Sequence, residues 1–212
     1  MILVVLARCE NRRVPNERVS DGPGRPLLEG ERLRLEPVLE AHLNLFVTLN
    51  SDPEVMRFIL GRGATVEETR QEWVQRLGPR TDDARGLGYW AGFTAAGAFL
   101  GWWGASAFCD DRTRAGLGYR LMRSAWGAGY ATEGARLMMD QASKATAVET
   151  VVASTMSVNV GSRRVLEKVG MRRVDTYLGE WRDPLPGWEQ GEVVYEAQKS
   201  DGRRDRAGEQ SR

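Results

Sequence analysis

A chain of 212 residues, 42% hydrophobic and 28% charged, is long enough for one sizeable core and has the make-up of a globular domain. Its formal net charge of +1 excludes the strongly basic field that would recruit nucleic acid, and no apolar run approaches the ~20 residues that span a bilayer. The two cysteines, Cys9 and Cys109, form no disulfide framework and suit a reducing cytoplasm, while the single His42 with no Cys/His cluster leaves no metal-ligand set.

In chain order, residues 1–7 are apolar but too short, and lack the flanks, for a signal peptide. Residues 8–26 mix Arg, Pro, Asn and Gly without periodicity, so 1–26 is expected to be a disordered or loosely attached tail. One domain is expected over 27–198, followed by a second tail over 199–212. Leu33 and Leu35 alternate with charges as in a half-buried strand, and Leu39, Leu43, Phe46 and Val47 recur at helical spacing. Thr65 and Glu68 form a capping-box signature for a helix whose apolar face is Trp73, Val74 and Leu77. Three strand-like runs, 87–94, 99–108 and 114–123, are joined by links short enough for an antiparallel meander. A long helix follows, ending near Lys144, then a strand over 150–155 and a short helix over 162–169 stopped by Gly170. Two closing strands, 172–178 and 193–198, complete an α+β domain with a mixed sheet.

The strand ending near Arg123 runs into a glycine-containing turn, Gly127-Ala128-Gly129, that opens the long helix. The first N–H groups of a helix lack internal partners and carry the positive end of its dipole, so such a turn suits an anion. Taken alone, such a turn is more often plain turn chemistry. No Gly-Lys-Ser/Thr follows, and the third glycine falls at 134 rather than 132, which excludes both the Walker loop and the dinucleotide fingerprint. Asn159 and Ser162 open the next helix, as caps or as two side chains facing a ligand between the neighbouring strands. Trp90, Trp102 and Trp103 suit core packing; adjacent on a strand, Trp102 and Trp103 point to opposite faces, and one of them is available to an acceptor pocket. Trp181 and Trp188 lie in a Gly/Pro-rich loop over 179–191 of the kind that shapes acceptor sites. His42 is expected on a helix surface or half-buried, without a catalytic part.

Leu117-Gly118-Tyr119-Arg120-Leu121, then Trp126-Gly127-Ala128-Gly129-Tyr130-Ala131-Thr132-Glu133, then Asn159-x-x-Ser162-x-x-Val165-Leu166-Glu167-Lys168-x-Gly170-Met171 together resemble the GNAT acetyltransferase superfamily. They are most similar to its RimJ/RimL-type branch, as is Ser51-Asp52-Pro53-Glu54-Val55-Met56. The resemblance covers about 27–197. It implies a mostly antiparallel sheet, flanked by helices, whose fourth and fifth strands splay in a V around coenzyme A. By position, the backbone of Leu121 and Arg123 would bind pantetheine. The N–H groups of Gly127, Ala128, Gly129, Tyr130, Ala131 and Thr132 would hold the pyrophosphate, and Asn159 and Ser162 would contact the cofactor. The implied activity is N-acetyl transfer from acetyl-CoA, or another acyl-CoA, to a primary amine on a small molecule or a protein N-terminus. It implies neither metal, nucleic acid nor membrane, and a possible homodimer.

In that chemistry the Leu121 N–H would meet the oxyanion and Ser162 would stand as the acid for the leaving thiolate, as a hydrogen-bond donor rather than a strong acid. Two departures from the family pattern stand out. Leu166 occupies the position of the usual acid tyrosine, and Gly116 that of a strand carboxylate that often serves as base. Glu133 fits the family pattern but, inside a helix, suits a structural hydrogen bond at least as well, Tyr119 suits packing, and no base is assigned. These losses keep open a second reading, a catalytically silent acyl-CoA-binding module.

Overall fold

The computed structural model describes residues 2–3, 25–74, 86–108, 111–179 and 183–199. Cys9, Leu77, Cys109 and Trp181 lie outside them. The strands are β1 (Ile2–Leu3), β2 (Leu28–Glu29), β3 (Leu33–Pro37), β4 (Gly88–Thr94), β5 (Phe99–Ala107), β6 (Arg114–Leu121), β7 (Thr150–Met156), β8 (Arg172–Tyr177) and β9 (Glu192–Gln198). The helices are α1 (Leu43–Ser51), α2 (Pro53–Met56), α3 (Val66–Glu72), α4 (Tyr130–Lys144) and α5 (Val160–Lys168). The sheet runs β2-β3-β4-β5-β6-β7-β9-β8, with β1 laid beside β6. Every described pairing is antiparallel except β6–β7. The α+β class, the mixed sheet and the β4–β5–β6 meander are those expected.

Each face of the sheet has its own core. On one, α4 presents Ala131, Ala135, Met138 and Ala142, spaced three and four apart, to Trp90, Trp103, Leu117 and Leu121. On the other, Phe46, Leu49 and Trp73 of the α1–α3 region pack on Tyr89, Phe93 and Trp102. Strand alternation thus divides Trp102 from Trp103. Gly134 is where α4 touches the sheet: a Cβ there would lie 2.4 Å from Trp103 Cε2. Arg25 is buried and donates to the Tyr89 carbonyl, while the carbonyl of exposed Pro26 accepts from Trp90 Nε1, so both residues are tied to β4 by hydrogen bonds.

Local signals hold at most element ends. Thr65 caps α3 and Glu68 returns the bond to the Thr65 N–H. Arg62 and Thr65, both donating to Glu68, pull its carboxyl down to about 2. Tertiary packing overrides two other signals. Val74 is 83% exposed, because regular α3 ends at Glu72 and only Trp73 turns inward; Leu39 is 56% exposed, ahead of a 3-10 turn over Glu40–His42.

His42 is more buried than expected, with Nδ1 accepting from the Leu39 N–H at 3.2 Å. Burial lowers its pKa below the ordinary 6.5, against a smaller opposing pull from Glu36. The folded state therefore favours the neutral ring, and the unfolded chain takes up the proton first as pH falls. Stability contributed by this residue is complete above 6.5 and lost progressively below it. Thermal melts at pH 7.5 and 5.5 should show a smaller acid-induced drop for His42→Gln than for the parent.

Candidate active site

The site begins where β6 and β7 part. Their parallel pairing covers only Arg114–Gly116 against Thr150–Val152, whereas β6 continues to Leu121 and β7 to Met156. β7 remains bonded to β9 along its whole length, so the gap opens on the β6 side alone. This is the V expected between the fourth and fifth strands.

Hydrogen-bond alternation decides which groups face the gap. Phe108 N–H donates to the Arg114 carbonyl and Met122 N–H to the Leu100 carbonyl, so even-numbered β6 residues bond to β5. The N–H and C=O groups of Leu117, Tyr119 and Leu121 must then point the other way, into the V. The Leu121 carbonyl is taken by Trp126 Nε1 at 3.0 Å, and its N–H stays directed at the gap. The floor is closed by Tyr119, whose hydroxyl donates to the Ser162 carbonyl at 3.3 Å. Burial pushes the Tyr119 phenol well above its ordinary pKa, so it stays protonated and structural, as expected.

At the open end, a 3-10 turn over Arg123–Ala125 leads to Gly127 and Gly129. The Arg123 carbonyl is used within that turn, by the Trp126 N–H. Gly129 is the N-cap of α4 at φ 87°, a left-handed conformation that glycine adopts without strain, and no side chain caps the helix. The Thr132 N–H donates to the Gly129 carbonyl at 3.1 Å, so it is the N–H groups ahead of Thr132 that the turn offers to a ligand. Arg32, from the turn before β3, stands over the α4 entrance. Its Nη1 donates to the Ala128 carbonyl at 2.8 Å, its guanidinium lies 5.2 Å from the Tyr130 ring centroid, and it pairs with Glu133 at 2.8 Å. Glu133 is thereby committed to structure. Beside this turn lies a groove of about 450 Å³ whose charged lining is Arg32, Arg136 and Lys168 together with Glu31 and Glu133. Those three cations were missed from sequence, although Arg136 follows Thr132 by one helical turn and so shares its face.

Asn159 is 2% exposed and caps α5. Its Oδ1 accepts from the Ser162 N–H at 3.3 Å and its Nδ2 donates to Thr155 Oγ1 at 3.0 Å. Ser162 is fully buried at the α5 side of the V. Leu166 lies in the core and Gly116 in the last parallel rung, so neither offers a titratable group.

In the loop over 183–191, Leu185 lies against Gly61 and Gly187 against Val158, just past the end of β7. Glu192, which opens β9 opposite Met156, is buried there and accepts from the Tyr177 hydroxyl at 3.0 Å. Sequence reading passed it over because a lone Glu at a strand start carries no pattern. Trp102 and Trp103, one of which was available to an acceptor pocket, are both in the cores. Among the described residues no cluster of His, Cys, Asp or Glu has the arrangement to hold a metal ion, and no helix is long and apolar enough to cross a membrane.

The edge of β6 thus opens into a V and leads to a helix N-terminus that no side chain caps. The chain belongs to the GNAT acetyltransferase family, whose domain model, described as "Acetyltransferase (GNAT) domain", matches residues 32–172. It is an acyltransferase enzyme. It is 36% identical over 180 residues, 80% of this chain and 75% of the relative, to the FsC-acetyl coenzyme A-N(2)-transacetylase of Aspergillus fumigatus. Among solved structures, an acetyltransferase of Bacillus anthracis superposes with a TM-score of 0.66 at 20% identity, covering 82% of this chain and 99% of that one. Spermidine N-acetyltransferase of Vibrio cholerae, solved with CoA and spermine, gives 0.65 at 12% identity over 79% of this chain and 96% of that one. At those identities the structural likeness is one of fold.

Proposed function

We propose that this protein transfers an acetyl group from acetyl-CoA to a primary amine, on a small molecule or a protein N-terminus, in the cytoplasm and as a RimJ/RimL-type member of its family. The observation that carries this reading is the inner edge of β6. A row of backbone groups that includes the Leu121 N–H faces the V and leads to the uncapped α4 terminus. The pantetheine arm would lie along Leu121 and Arg123, and the N–H groups of Gly127–Ala131 would take the pyrophosphate. Arg136 and Lys168 add positive charge beside it, while the charge of Arg32 is offset by Glu133. The likeness to the 36%-identical FsC-acetyl coenzyme A-N(2)-transacetylase supports the same donor and an amine acceptor.

The amine, arriving from the side of the 183–191 loop, attacks the thioester carbonyl carbon. A C–N bond forms and charge moves to the oxygen, where the Leu121 N–H stabilises it. The C–S bond then breaks, and the thiolate leaves against a hydrogen bond from Ser162. The ammonium proton passes to water. Glu192 offers a carboxylate on the acceptor side of this arrangement.

Release of free thiol from acetyl-CoA across a panel of amines, with mass detection of the product, tests the proposal. CoA binding with no thiol release under any acceptor would favour the silent binding module. In the active protein, Asn159→Ala should weaken CoA binding about tenfold, the loss of roughly 1.4 kcal/mol, and lower stability by about 1 kcal/mol through the lost cap. Ser162→Ala should lower kcat more than it weakens CoA binding. Equal losses of affinity with kcat unchanged would assign Ser162 to capping and packing alone.

A further inference from the structure

The inner edge of β6 already holds a strand, and that strand is part of this chain. β1 pairs antiparallel with β6, Ile2 opposite Arg120 and Leu3 opposite Tyr119. It also lies against β7, so it sits inside the V, beyond the Gly116–Val152 rung at which β6 and β7 separate. Alternation along β6 turns the Tyr119 N–H and C=O toward this gap, and these are the groups that a strand opposite Tyr119 engages. The antiparallel direction aims the Ile2 end of β1 at Leu121.

We propose that the inner edge of β6 is a binding site for an extended peptide strand, that its own occupant is the N-terminal segment of the chain, and that this segment and acyl-CoA exclude one another. The inference rests on the proposed placement of acyl-CoA along the same edge. One row of N–H and C=O groups serves one partner, and a paired strand stands about 4.8 Å from its neighbour, the space an extended pantetheine arm needs. The described ladder has two rungs, a pairing short enough for abundant ligand to displace. The protein is then open to acyl-CoA only for the fraction of time that β1 is out, and apparent affinity falls by that fraction.

The test uses the full-length chain with Ile2→Pro and Leu3→Pro together, since proline removes the N–H and resists a place within a ladder. CoA affinity is measured by titration calorimetry, and the acetyl-CoA KM and kcat by thiol release. If β1 fills the V in about nine-tenths of molecules, the double variant binds CoA about tenfold more tightly, with KM lowered to match and kcat within about twofold. A synthetic peptide of residues 1–6 added to the variant should raise KM again, competitively with acetyl-CoA. Cooperative thermal unfolding of the variant checks that the domain is intact. Equal CoA affinity in parent and variant overturns the exclusion while leaving the cofactor placement standing. Failure of both to bind CoA overturns the placement and this inference with it.

Discussion

Replacing Glu72 with leucine should lower the stability of the fold by about 3–5 kcal/mol, the cost of leaving a buried charge without its partner. The charge is Arg120, on β6, whose side chain is 1% exposed. Its Nη1 and Nη2 donate to the two oxygens of Glu72 at 2.9 and 3.1 Å, and Nη1 also donates to Asn50 Oδ1 at 2.6 Å. The guanidinium lies 5.4 Å from the Trp102 ring centroid, and its Nε has no partner among the described residues. Asn50 in turn donates to Thr69 and Glu72, so α1, α3 and β6 meet in one polar cluster. Removing the carboxylate leaves a buried guanidinium with Asn50 Oδ1 in place of a charged partner. Because paired burial is itself costly, the double variant Arg120→Met/Glu72→Leu should recover most of the loss, which chemical denaturation of the two single variants and the double variant would measure. If Glu72→Leu unfolds at the same denaturant concentration as the parent, the cluster contributes nothing net. If the single and double variants are equally unstable, packing rather than charge is the cause.

Gly129→Val should reduce CoA affinity at least 100-fold, equivalent to about 2.7 kcal/mol or roughly two charge-assisted hydrogen bonds. Two features of the turn converge on this residue. Its φ of 87° is hostile to a β-branched side chain, and an added Cβ would stand 3.0 Å from Arg32 Nη2. The helix entrance would twist out of register with its ligand, and Arg32 would be pushed from the Ala128 carbonyl that it holds. A Cβ at Gly127, also at positive φ, meets nothing within 4 Å, so Gly127→Ala separates backbone strain from steric conflict. The Gly129 exchange should also lower stability by about 1–2 kcal/mol, too little to unfold a typical domain. Affinity and denaturation measured on the same preparation therefore discriminate. Binding that falls only in step with the unfolded fraction would make Gly129 a turn residue and nothing more, and undiminished binding by a folded variant would remove Gly127–Ala131 from the phosphate site.

Much of this protein is written locally. The Thr65–Glu68 capping box, the Gly170 stop, the short links of the β4–β5–β6 meander and the opposite facing of Trp102 and Trp103 depend on residues within one helical turn or one strand repeat, and the structure contains all of them. The turn from β6 into α4 was legible for the same reason, since its glycines and the helix it opens are contiguous. The tertiary structure alone decided what meets across long separations. Arg32 reaches Glu133 over 101 residues and Arg120 reaches Glu72 over 48; neither partner has a sequence signal, because which side chains meet depends on how layers stack. The same stacking turns Val74 outward although it sits at apolar spacing, and commits the Asn159 amide to the α5 cap and Thr155. The V itself is a matter of register: periodicity shows that β6 and β7 are strands, but their parting after Gly116 and Val152 follows from the sheet as a whole. So does the seating of β1 in that opening, because an unpaired strand edge accepts whichever backbone the fold brings to it.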